Sequence, residues 1–241
     1  MNSPSDRLSR AGWFCSLLLS LVMEFGASDS IAQAEPATDE VDTPSQQSAA
    51  VELARTPQGR QWLKYITSCG LSEGDQLTLK VEDSSYQFSG NLGLASDWLK
   101  QPLSASAERW ASTCLLALTN AFGVTVPISV RGSHDALQAG MKPHETQLYL
   151  VEEAAFYGNI FASPAAAYVC TGEQTPSSPY LQQRVCAETS DTPPLTKCQF
   201  LLMGRCKDLC EYQDSDNGHY ERCRGSDGLY SEVVTVYLKT E

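Results

Sequence analysis

Six of the nine cysteines crowd into one stretch, Cys170, Cys186, Cys198, Cys206, Cys210 and Cys223, and that crowding constrains the fold more than any other feature of the sequence. Cys69 and Cys114 stand apart, and Cys15 lies in an apolar N-terminal segment. Removal of that segment leaves eight, an even number, which in an exported chain implies a disulfide framework. Eight cysteines admit roughly a hundred pairings, so their number alone does not fix the connectivity. Their distribution narrows it: Cys69 and Cys114, on two helix-like segments, are expected to pair, and Cys170 is expected to join Cys186. Cys198, Cys206, Cys210 and Cys223 are left open. Zinc is the competing use, since Cys206-x3-Cys210, and Cys198 with His219, imitate ligand spacing. The usual C-x2-C pair is absent and an oxidising compartment favours disulfides, so neither a metal nor any other cofactor is expected.

The N-terminus supports export independently. Arg7 and Arg10 form a positive region, Ala11 to Met23 is an apolar run ended by Glu24, and Ala32-Gln33-Ala34 supplies the small residues of a cleavage site. Residues 1–34 therefore read as a signal peptide, with cleavage after Ala32 as the alternative to cleavage after Ala34. The apolar run is too short to span a bilayer comfortably, so no stable membrane span is expected after cleavage. Residues 35–50 carry acidic residues, two prolines and no basic or aromatic residue, and are expected to form an acidic disordered spacer. Over the whole chain, 17 Lys and Arg stand against 29 Asp and Glu, a net charge of -12. Nucleic acid and anionic lipid attract basic faces, so neither is expected as a main partner.

Residues 51–241 are expected to form a single α+β domain, with two principal helices packed on a mostly antiparallel sheet. Thr56-Pro57 is an N-cap and first-turn pair, and Trp62, Leu63, Ile66 and Cys69 recur at helical spacing before Gly70. Leu77, Leu79 and Val81, a turn at Asp83-Ser84-Ser85, then Tyr86 and Phe88 predict a β-hairpin. Ser104 or Ser106 caps a second helix whose face is traced by Trp110, Cys114, Ala117, Leu118 and Phe122, with Gly123 as its stop. Val124, Val126, Ile128 and Val130 alternate as a strand that Pro127 assigns to an edge or a bulge. Strands are further expected from Leu148 and over 166–170. Residues 170–223 form a disulfide-stapled, loop-rich insertion. The run 232–238 (EVVTVYL) is expected to return to the main sheet as a buried strand.

The sequence offers several patterns that imitate chemistry. Gly70-Leu71-Ser72-Glu73-Gly74 spells the nucleophile elbow of an α/β-hydrolase, but a helix precedes it and a strand follows, the reverse of what an exposed nucleophile requires. Ser133-His134-Asp135 holds the residue types of a triad in a consecutive order that cannot form its hydrogen-bond chain. His144 and His219 read as exposed loop histidines. Asp214 to Gly218 has the texture of a calcium loop without its register. Glu152 and Glu153, adjacent on a strand, point to opposite faces and cannot work as a pair. No catalytic residue is assigned. Glu153, Phe156, Tyr157 and Asn159, grouped around Gly158, form a possible recognition surface, with core filling by the apolar members as the alternative.

The segments Trp110-x3-Cys114-Leu115-x-Ala117-x2-Asn120-x-Phe122-Gly123 and Glu153-x2-Phe156-Tyr157-Gly158-Asn159-x-Phe161, followed by the cysteine cluster, resemble those of secreted cysteine-containing bacterial proteins. The resemblance implies a secreted, periplasmic or envelope setting and transfers no catalytic or binding residue. The expected function is an exported, disulfide-stabilised binding or structural protein of the cell envelope or exterior, its partner an unknown protein or envelope component. The alternatives are a secreted hydrolase with a carboxylate-based site, and an inhibitor of a secreted protease acting through the loop at 175–180.

Overall fold

The computed structural model describes residues 43–118, 126–142, 144–172, 200–214 and 218–239. Residues 1–34, Cys186, Cys198 and the loop at 175–180 lie outside them. The chain divides into two compact units, one over Ala27–Ala111 and one over Ser112–Glu241.

In the first unit, α1 (Thr43–Ala54) and α2 (Pro57–Gly70) pack with a hairpin of β1 (Gln76–Val81) and β2 (Ser84–Ser89). The spacer expected over 35–50 is thus corrected for residues 43–50, which form most of α1. Ala50 and Ala54 are buried against Leu63, Leu71, Leu77, Leu79, Val81 and Phe88, so small apolar residues supply a packing face in a segment of otherwise polar composition. Gly59 makes the helix pairing possible: a Cβ there would lie 1.8 Å from the Leu53 carbonyl oxygen. The expected start of α2 holds, with Thr56 Oγ1 accepting the Gly59 N–H at 2.9 Å. Its last carbonyls, on Ser68, Cys69 and Gly70, accept N–H groups from Leu92, Leu94 and Ala95, so a returning loop satisfies the helix end. In the hairpin Val81 pairs with Ser84. The turn is therefore Glu82-Asp83, with Glu82 at φ 54°, one residue earlier than expected.

Helix α3 (Ala105–Leu118) is capped by Ser104, whose Oγ accepts the Ala107 N–H at 3.2 Å. The expected stop at Gly123 lies outside the described residues. Six helices are present among the described residues, three of them short.

The second unit is built on a five-stranded sheet. Its strands are β3 (Ile128–Arg131), β4 (Tyr149–Asn159), β5 (Ala166–Thr171), β6 (Leu201–Arg205) and β10 (Val233–Lys239), in the order β3-β10-β4-β5-β6. Short helices α4 (Asp135–Gly140) and α5 (Glu145–Leu148) connect β3 to β4. Pro127 stands just before the edge strand β3, and the last strand returns to the interior of the sheet. Residues Val233 to Tyr237 are all buried, as their β-branched run requires. The ladders are antiparallel except β5 with β6, which is parallel.

The cysteine-rich insertion is more ordered than a set of loops. Its described residues contribute β6, the single turn α6 (Cys206–Leu209), β7 (Cys210–Asp214) and most of β8 (His219–Arg224), and β7 and β8 form a three-stranded sheet with β9 (Leu229–Tyr230), which follows the insertion. That sheet covers one face of the larger one. Ala155, Tyr157, Tyr168, Cys170 and Val233 pack there with Cys206, Tyr220 and Cys223. The opposite face, with Ala154, Phe156, Val169, Val234 and Val236, is buried as well.

Candidate functional site

Two disulfides lie in the second unit, one joining its larger sheet to α6 and one within the smaller sheet. Cys170 on β5 is bonded to Cys206 at the start of α6, with Cα atoms 4.9 Å apart, and Cys210 on β7 is bonded to Cys223 on β8, with Cα atoms 4.0 Å apart. The expected Cys170–Cys186 pairing is therefore corrected: β6 runs beside β5 and brings Cys206 to Cys170. The two bridges nearly touch, with Cys170 Sγ 3.9 Å from Cys210 Sγ. Cys69 and Cys114 are also disulfide-bonded, so every described cysteine is oxidised.

Beyond the sulfurs, the two sheets enclose a polar seam. Arg131 on β3 lies opposite Thr235 on β10, and Ser129 lies opposite Tyr237. A register shift in the β10–β4 ladder then sets Glu152 opposite Tyr237. Glu152 Oε1 accepts the Tyr220 hydroxyl at 2.9 Å, and Oε2 accepts the Tyr237 hydroxyl at 3.4 Å. The Arg131 guanidinium stacks 3.8 Å from the Tyr237 ring centre and donates to Ser129 Oγ at 3.0 Å and to the Tyr149 carbonyl at 2.7 Å. Burial pulls its pKa below the usual range, while Tyr237 and Glu145 act in the opposite direction. Thr235 Oγ1 accepts the Tyr220 N–H at 3.0 Å, a direct tie between the layers. Gly218 completes the enclosure at φ +63°, where a Cβ would come within 2.9 Å of the Tyr237 hydroxyl and 3.1 Å of Arg131 Nη1.

A second polar group lies where β9 meets the larger sheet. The rings of Tyr157, Tyr168 and Tyr230 stand 5.5 to 6.0 Å apart. Asp227 accepts the Tyr168 and Tyr230 hydroxyls at 2.8 Å each, and Tyr157 donates to the Arg224 carbonyl at 2.9 Å. Desolvation raises the Asp227 pKa, but the two tyrosine hydroxyls and its own backbone outweigh it and hold the carboxyl below its usual range. Burial and the neighbouring Tyr168 push the Tyr157 hydroxyl up. Both groups are thus internal hydrogen-bond networks in which charges and hydroxyls answer one another. Tyr220 and Tyr237 thus donate to both oxygens of Glu152, which acts there as an acceptor.

The residues singled out in the sequence fall elsewhere. Of the expected recognition surface, Glu153, Phe156 and Tyr157 are 0%, 1% and 0% exposed. Only Asn159 is partly accessible, and its Oδ1 accepts the Phe161 N–H at 2.9 Å. This stretch is interior strand, because β4 is flanked on both sides by other strands and covered on both faces. His134 is the N-cap of α4, its Nδ1 accepting the Ala136 N–H at 3.1 Å, a better explanation of Ser133-His134-Asp135 than a triad. His144 is exposed at the start of α5. His219, expected in an exposed loop, is 1% exposed on β8, because its turn-like surroundings continue into a paired strand. Ser72 follows the end of α2 in a bridge with Asn91 and Leu92, as a helix-ending turn requires.

The sequence reading missed Arg131, Tyr220 and Tyr237. A charged residue inside the β-branched run ISVR, and a tyrosine inside VVTVYL, were the available signals. No protein-family model, curated protein or solved structure matches the chain.

Proposed function

We propose that the chain is an exported protein of the cell envelope or exterior that acts by binding, or as a structural component, with a protein or another envelope component as its partner. The fold is disulfide-stabilised, and such bonds belong to an oxidising extracellular or periplasmic setting. No described helix is long and apolar enough to cross a membrane. The observation that carries the binding reading is edge strand β6. It is parallel to β5 at the rim of a cross-linked sheet, and its Leu201 and Leu202 are 38% and 48% exposed. An edge strand offers backbone groups and alternating side chains to a partner strand, and the neighbouring disulfide holds it in place before binding. Residues 51–241 acting as one domain, preceded by a cleaved signal over 1–34, belongs to the same proposal.

The test compares binding with turnover. The purified, oxidised chain should show no turnover of peptide, ester, glycoside or peptidoglycan substrates above background. Cross-linking in the producing cell, from a photoreactive residue at Leu202, should give one defined adduct that a Leu201→Asp substitution removes. Turnover lost on substituting Glu152 or Glu73, with folding intact, would overturn the reading in favour of a carboxylate-based hydrolase.

A further inference from the structure

Asp227 and Gly228 are the one Asp-Gly pair in the chain, and they sit in the turn that joins β8 to β9. The Gly225 N–H donates to the Gly228 carbonyl at 2.7 Å and closes that turn, and Ser226, Asp227 and Gly228 are exposed. An Asp followed by Gly is open to isomerisation of its peptide bond, because no Cβ shields the glycine nitrogen from the carboxyl beside it. Here the carboxyl is pinned. Tyr168 on β5 donates to Oδ1 and Tyr230 on β9 to Oδ2, each at 2.8 Å, and the Tyr168 hydroxyl also lies 2.8 Å from Ser226 Oγ. Rotation of the Asp227 side chain breaks bonds whose donors are fixed on two different strands.

We propose that Asp227-Gly228 is a self-modification site: a latent aspartyl isomerisation that the Tyr168 and Tyr230 hydroxyls hold off, and whose completion releases β9.

The chemistry balances with water alone. The Gly228 nitrogen attacks the Asp227 side-chain carboxyl carbon and closes a five-membered succinimide, while the carboxyl's hydroxyl and the amide proton leave as water. Water then adds to the former main-chain carbonyl carbon and breaks its bond to nitrogen. One water is lost and one regained. The hydroxyl leaves from a protonated carboxyl, and the two tyrosine donors favour the ionised one. The product's main chain runs through Asp227 Cβ, one carbon longer than before, with its free carboxylate on Cα. That extra carbon falls between Arg224 and Leu229, the pair that begins the short ladder of β9 on β8, and the acceptor shared by Tyr168 and Tyr230 is displaced. The proposal concerns the ageing of the folded chain and stands whether or not the binding reading holds.

The experiment keeps the oxidised full chain, and the same chain reduced and unfolded in guanidinium chloride, in warm neutral buffer for several weeks. Peptide mapping with electron-transfer fragmentation counts β-linked aspartate at position 227. The folded parent should form it far more slowly than the unfolded chain, a comparison that needs no variant. Tyr168→Phe and Tyr230→Phe should each speed it by about tenfold, the scale of one hydrogen bond to a charged group. Tyr157→Phe removes a hydroxyl that serves the Arg224 carbonyl. It loosens the same aromatic cluster without touching Asp227 and should leave the rate at the parent's. Circular dichroism and recovery of the Cys210–Cys223 peptide identify variants that remain folded. In isomerised chains, hydrogen exchange should rise at Leu229 and Tyr230. A folded parent that isomerises as fast as the unfolded chain, Tyr168→Phe and Tyr230→Phe no faster than the parent, Tyr157→Phe as fast as either, or unchanged exchange in β9 after isomerisation would each overturn the proposal.

Discussion

His134 shows how one side chain can look catalytic in the sequence and be architectural in the fold. Its Nδ1 can accept the Ala136 N–H only while that nitrogen carries no proton. Burial lowers its pKa from the usual 6.5, against an opposing pull from Asp135. A folded-state pKa below the unfolded one makes the neutral form's stabilisation complete above pH 6.5 and progressively lost as the pH falls through the lower, folded value. His134→Asn keeps an acceptor that does not titrate. Its stability, measured by denaturant unfolding between pH 8 and 5, should therefore fall less on acidification than that of the parent chain. An identical slope would show that the cap is not the titrating element. Arg131 is the converse case. Alternating apolar residues in the sequence placed Ile128 and Val130 inward, yet both are half-exposed and Ser129 and Arg131 are buried. Periodicity locates a strand, but which face is interior depends on what covers it, and the covering strand β8 arrives almost a hundred residues later.

Among the elements, those with local signals were legible: α2 from its cap and spacing, the β1–β2 hairpin from alternation, α3 from Ser104, and β10 from its β-branched run. Helix α1 was not, because its polar composition hides the two alanines that pack it. The sheet within the cysteine-rich insertion was not legible either, since short strands stapled by sulfur need little of the apolar patterning that reveals a strand held by its core. The staples differ in reach. Cys170 and Cys206 are separated by 36 residues, Cys210 and Cys223 by 13. In the chain-entropy account the longer closure stabilises by about 4 kcal/mol and the shorter by about 3 kcal/mol. Replacing Cys170 and Cys206 together by Ala should accordingly lower the unfolding free energy more than replacing Cys210 and Cys223 together. The opposite order would mean that packing of the sulfurs, not closure of the chain, dominates.

Across the whole molecule, both isolated cysteines being oxidised leads to a specific expectation, that Cys69 and Cys114 are bonded to each other. Non-reducing peptide mapping should recover them as one linked pair, with a closure contribution of roughly 4 kcal/mol. A link from either to Cys186 or Cys198 would refute it. The order of the strands carries a different kind of information. β3 and β4 follow one another in the chain but do not pair; β10 lies between them, with Thr235 opposite both Arg131 and Ala155. A ribosome must therefore deliver the entire cysteine-rich stretch before the two halves of the sheet can be joined. Until then the strand that links β3 to β4 is missing, and such long-range closure is slow. Cysteines that emerge early wait beside wrong partners, so the yield of correctly bridged protein should depend on a disulfide-shuffling catalyst or on a holding chaperone until β10 arrives.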